Sequence, residues 1–109
     1  IIIPTISTTQ KMAFKNVLQL SNEFTKQNNS KLYFVYIPDM INNFIDYKKI
    51  IHTVESLNIP IIDIRKELIN KHKDPLSLYP FRNRLLHFNE EGYRLIAETI
   101  FTKINELER

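Results

Sequence analysis

Three side chains in this sequence can exchange a proton near neutral pH, His52, His72 and His87, and their surroundings differ. His87 opens the run HFNEEGYRLIAETI and stands two positions before Asn89, a residue type that caps helix N-termini. A neutral imidazole held at the start of a rigid helix can act as a general base toward a serine hydroxyl. The plainer role for the same residue is a partly exposed loop histidine that helps close the helix start. His52 falls inside a helical pattern and His72 in the charged stretch NKHKD, and no pair of histidines has the His-x-x-x-His spacing of a zinc site. With no cysteine as well, no metal centre is expected. Gly92 is the one glycine, which excludes glycine-rich phosphate loops and dinucleotide fingerprints, so no nucleotide cofactor is expected either.

The helix that must position His87 is sharply specified. Asn89 is the cap, Glu90 and Glu91 fall in the first turn where the helix dipole favours anions, and Phe88 and Tyr93 have the spacing of a hydrophobic staple. Tyr93, Ile96, Ala97, Ile100, Ile104 and Leu107 form the expected buried stripe of a helix over Asn89–Leu107, which would then lie flat on a sheet. Upstream, Phe14, Val17, Leu18 and Phe24, flanked by Met12 and Leu20, predict a helix from Ser7 to Gln27 with one buried face. Ser7, Thr8 or Thr9 would cap it and QNNS would end it. The apolar run Leu32 to Ile37, in KLYFVYIPD, reads as a strand buried on both faces.

From Asn42 to Leu57 the positions Phe44, Ile45, Tyr47, Ile51, Val54 and Leu57 predict a second helix, followed by a short strand in NIPIIDI. Strand, helix, strand at this spacing is a βαβ unit with a parallel sheet. RKELINKHKD then gives a short helix and Pro75 to Arg84 an irregular loop. The expectation is one α/β domain over residues 1–109, a parallel sheet covered by helices. Two strands are too few for a complete doubly wound sheet, so IIIPTI or a preceding segment is expected to add a third. Position 1 is not Met and is not expected to be the natural start of the chain.

The order KLYFVYIPD, IPIIDI, LLHFNEEGYRLIAETI resembles the C-terminal half of an SGNH (GDSL-type) hydrolase. That family's final signature is Asp-x-x-His followed by Asn-x-x-Gly-[Tyr/His] at the start of the last helix, and His87, Asn89, Gly92 and Tyr93 match it. The resemblance implies a flavodoxin-like three-layer fold, esterase or acyltransferase activity, and His87 as the catalytic base, with Asn89 and Gly92 shaping the turn that presents it. It implies an acyl-ester substrate on a lipid, a sugar or a cell-wall polymer, and no cofactor. The sequence departs from the family in two ways. The position three before His87 is Arg84 and the position two before is Leu85, so the acid is missing; Asn83 cannot supply a charge, and Asp63 and Asp74 stand at unfamiliar places. Some relatives work with Ser and His alone, a main-chain carbonyl orienting the ring. The Gly-Asp-Ser nucleophile motif is also absent, since Ser7, Ser21, Ser30, Ser56 and Ser77 all lack its context, so a serine would have to come from outside these residues.

Composition bounds the remaining readings. With 43% hydrophobic and 25% charged residues the chain is of ordinary globular type. No apolar run reaches the ~18 residues of a membrane span. A net charge of +3 is scattered among acidic residues, and Tyr33, Phe34 and Tyr36 have no basic density around them, so nucleic acid is not an expected partner. Those aromatics are read as core and edge packing, with the wall of an acyl pocket as the alternative. Against the enzyme reading stand a catalytically inactive domain of the same fold that binds carbohydrate or protein, and an unrelated α/β interaction domain.

Overall fold

The computed structural model describes residues 6–38, 44–81 and 87–109, with the side chains of Phe44 and Ile45 outside the description. The chain gathers into two compact units, Ile1–Phe34 with Asn42–Ile61, and Val35–Ile41 with Ile62–Arg109. The order of elements is α1 (Thr8–Gln27), β1 (Phe34–Tyr36), α2 (Phe44–Ser56), β2 (Ile61–Asp63), α3 (Ile64–Glu67), two 3₁₀ turns (Ile69–Lys71 and Pro75–Leu78) and α4 (Glu90–Leu107). β1 and β2 are hydrogen-bonded neighbours and run parallel, so the protein is mixed α/β with a two-stranded sheet. No helix among the described residues is long and apolar enough to cross a membrane. The third strand expected from IIIPTI falls at residues outside the description.

In the first unit, α1 begins where the sequence places it. Ser7 accepts from the Gln10 amide through its side chain while the Gln10 side chain accepts from the Ser7 amide, a reciprocal capping box. Its end is a left-handed cap at Asn29, φ 54°, with Ser30 N–H donating to the Thr25 carbonyl at 2.8 Å and Asn29 N–H to that of Lys26 at 3.3 Å. α1 packs against α2, and the Ile6 amide donates to the Asp46 carboxylate at 3.1 Å, tying the approach to α1 to the first turn of α2. Phe14 meets Phe34 edge to face at 5.8 Å.

The expected buried face of α1 needs correction. Phe14 and Leu18 are half-buried, but Val17 and Phe24 are 62% and 66% exposed, as are Met12 and Leu20 to similar degrees. The helix carries two apolar ridges about a quarter turn apart. Phe14, Leu18, Ser21 and Thr25 make the less exposed one, while the ridge of Val17, Leu20 and Phe24 faces outward.

The second unit holds most of the fully buried residues. Ile62, Ile64 and Leu78 are almost completely shielded, and Tyr36, Leu68, Ile69, Tyr79, Phe88 and Ile96 nearly so. Asp63 ends β2 and at once caps α3, its carboxylate accepting from the Lys66 amide at 3.3 Å. α4 packs chiefly against α3 and the second 3₁₀ turn, not flat on a sheet, and this corrects its expected stripe. Ile96 is buried, Ile100 and Ile104 are half-buried, and Tyr93, Ala97 and Leu107 are exposed. The reason is size: an 18-residue helix is about 27 Å long, whereas strands of three residues reach about 10 Å. The same shortness explains why β1 is not buried on both faces. Only Tyr36 within it is buried, Phe34 and Val35 are half-buried, and Ile37 beyond it is exposed.

Candidate active site

His87 reaches its position through a lock on the segment that follows it. Asn89 is that lock, because its amide side chain bonds in two directions. Its Oδ1 accepts from the Gly92 amide at 2.9 Å, the cap of α4, while its Nδ2 donates to the carbonyls of Ser77 at 2.9 Å and Tyr79 at 3.2 Å. Its own main-chain N–H donates to the Leu78 carbonyl at 2.8 Å. An aspartate or serine would cap the helix equally well, but an aspartate has no donor for the two carbonyls and a serine has one at most. The asparagine therefore fastens the start of α4 to the second 3₁₀ turn as well as ending the loop.

Gly92 completes the fit by its missing side chain. A Cβ there would stand 2.6 Å from the Leu78 carbonyl oxygen and 2.9 Å from the Phe88 Cβ, closer than carbon atoms tolerate. The first turn of α4 can press onto the 3₁₀ turn because residue 92 is glycine. Phe88 is buried between two rings, stacked on Tyr79 at 4.7 Å and edge-on to Tyr93 at 5.8 Å. Phe88 and Tyr93 thus form the expected staple, even though Tyr93 is 52% exposed. Sequence reasoning missed the 3₁₀ turn and its bonds to Asn89; Asp74-Pro75 was the signal, since proline at the first helical position is a helix-start mark.

The His87 side chain itself is exposed, and its Nδ1 lies 3.1 Å from the carbonyl oxygen of Phe88. A carbonyl can only accept, so in the neutral ring this contact favours the tautomer with the proton on Nδ1 and the lone pair on Nε2. This is the ring state a general base requires. No carboxylate contacts the ring among the described residues. Asp63 is engaged at the start of α3, and the Asp74 carbonyl receives the Ser77 hydroxyl. Positions 83, 84 and 85, where the sequence lacks the family's acid, lie outside the described residues.

Two charges in the first turns of α4 are committed to each other. Glu91 pairs with Arg94, which also holds Glu98, and the Arg94 hydrogen bond keeps the Glu91 carboxyl below the usual carboxylate range. His72 accepts from the Asp74 amide at 3.0 Å through Nδ1 and follows the first 3₁₀ turn, while His52 lies exposed on α2. Among the described residues no hydrogen bond joins His72 to His87. Tyr36 is buried and Tyr33 and Phe34 half-buried, as packing residues are. No family model matches this chain, and neither a curated protein nor a solved structure is significantly similar to it, so the reading of the site rests on its geometry and on its residues.

Proposed function

We propose that this chain is the C-terminal part of an SGNH (GDSL-type) hydrolase-like domain, an esterase or acyltransferase of flavodoxin-like fold, and that His87 is its general base. The observation that carries the proposal is the orientation of His87: its Nδ1 faces the Phe88 carbonyl at 3.1 Å, next to a helix start anchored by Asn89 and Gly92. In this reading Nε2 takes the proton of a serine hydroxyl from outside these residues as the serine oxygen attacks the acyl carbon. The proton then passes from Nε2 to the departing alkoxide, and the acyl group stays on the serine until water or an acceptor alcohol removes it. The Phe88 carbonyl keeps the ring oriented and faces the imidazolium that forms with the negative end of its dipole, the task a carboxylate performs in a full triad. The substrate is an acyl ester of a lipid, a sugar or a cell-wall polymer.

A second reading, a catalytically inactive domain of the same fold that binds carbohydrate or protein, is favoured by the lack of any carboxylate at the His87 ring among the described residues. One experiment separates them. In the full-length protein, His87→Ala should lower hydrolysis of a short-chain aryl ester by about three orders of magnitude or more, as loss of a triad base does. Its melting temperature should stay unchanged, because the side chain is exposed. The 109 residues alone should show no turnover above that variant. Unaltered activity in full-length His87→Ala would remove the residue from catalysis.

A further inference from the structure

Within the first unit, the space between α1 and α2 is an open cleft of about 450 Å³. Tyr47 and Ile51, both half-buried, supply its apolar surface. Lys11 from α1, and Lys48, Lys49 and His52 from α2, stand around it with Glu55 as the one carboxylate. Lys11 and Lys49 also border a smaller, wholly apolar recess formed by Ile6, Phe14 and Ile50 with Thr53. The two recesses therefore share these two lysines.

Two of the lysines in this groove carry charges that are not paired among the described residues. Lys11 and Lys49 bond through their main chains only, and neither ammonium has an ion-pair or hydrogen-bond partner among the described residues. The Glu55 carboxylate and the His52 ring are likewise without side-chain partners among them. Two unpaired lysines against one glutamate around an apolar floor attract an anion, and an anion that carries an apolar group also buries the floor. The volume lies within the range of small-ligand sites, roughly 300–1,000 Å³.

We infer that the α1–α2 groove is a binding site for a single-chain amphiphilic anion, its carboxylate or phosphate head held between Lys11 and Lys49 and its apolar tail laid over Tyr47 and Ile51. The head chemistry is shared by fatty carboxylates and alkyl phosphates, while the tail distinguishes both from a free inorganic ion. The inference does not depend on the role of His87.

The full-length protein, labelled for amide NMR, is titrated separately with sodium octanoate, octyl phosphate, inorganic phosphate and the neutral octyl glucoside. Saturable shifts on α1 and α2 with octanoate or octyl phosphate, weakened by added salt, are expected, and whichever of the two binds more tightly names the head group. Lys49→Glu and Lys11→Glu, both at exposed positions, should each weaken that binding by about tenfold, and Tyr47→Ala should do the same through the tail. Equal binding of inorganic phosphate would reduce the groove to an unselective cationic surface and overturn the inference. Equal binding of octyl glucoside, no saturation with any probe, or unchanged affinity in both lysine variants would overturn it as well.

Discussion

Replacing Gly92 by alanine tests the lock beneath His87, because two effects of opposite sign meet at that position. In a helix that merely began at Glu90, alanine for glycine would stabilise by roughly 0.5–1 kcal/mol, through the restricted unfolded chain and the better helix propensity. Here the new methyl would meet the Leu78 carbonyl oxygen at 2.6 Å and the Phe88 Cβ and Cδ1 at 2.9 and 3.0 Å. A main-chain oxygen cannot rotate away, and this one is held by the Asn89 amide at 2.8 Å. Relief requires α4 to lift from the 3₁₀ turn, which would stretch that bond and the two from Asn89 Nδ2, at about 1 kcal/mol each. Overpacking of this kind costs about 1–3 kcal/mol. The overlap should win, so Gly92→Ala is expected to destabilise by about 1–2 kcal/mol net. The assay is urea unfolding followed by far-ultraviolet circular dichroism, with an unchanged slope and a lower midpoint. A variant as stable as the parent, or more stable, would show that the close approach of α4 to Leu78 does not exist in solution.

Two further outcomes follow from the second unit. Asn89→Asp keeps the cap to the Gly92 amide and adds a favourable charge at the helix start, yet it aims a carboxylate at the Ser77 and Tyr79 carbonyls. A net loss of about 1–2 kcal/mol is expected, with faster amide exchange at residues 77–79, and a stabilised variant would refute the two-way role of the asparagine. The Glu67 carboxyl is held below its usual range, first by the Lys71 hydrogen bond and also by the charge of Lys103 at 3.7 Å. Its folded pKa is depressed, so its contribution to stability is present above the unfolded value and lost as pH falls through the folded one. The parent should therefore lose more stability than Glu67→Gln between about pH 5 and pH 3, and parallel pH profiles for the two would contradict the pairing.

Local signals account for what could be read in the sequence. The Asn89 cap and the Phe88–Tyr93 staple each involve residues within five positions of one another and stand as their spacing implied, and of the three residues read as caps for α1 it is Ser7 that serves. The parallel pairing of β1 with β2 was legible for a related reason, since two apolar runs separated by a helical period leave few other topologies. Which apolar residues would be covered was not legible. Val17, Leu20 and Phe24 repeat with the same helical spacing as Phe14 and Leu18, and nothing in periodicity says which of two ridges a neighbouring helix will meet. The chemistry at His87 divides the same way. Its place before a capped helix is a pattern of residue types, but the group that fixes its ring is the carbonyl of Phe88, and every residue has a carbonyl. Under the proposed function the missing acid is visible in the sequence, whereas a main-chain acceptor in its place would leave no mark there. What holds that carbonyl in place is the burial of Phe88 between Tyr79 and Tyr93 and the bonds of Asn89 to residues ten and twelve positions earlier. The orientation of an exposed histidine is thus decided by a buried phenylalanine and an asparagine, and substitutions at those two should disturb the ring before they disturb the helix.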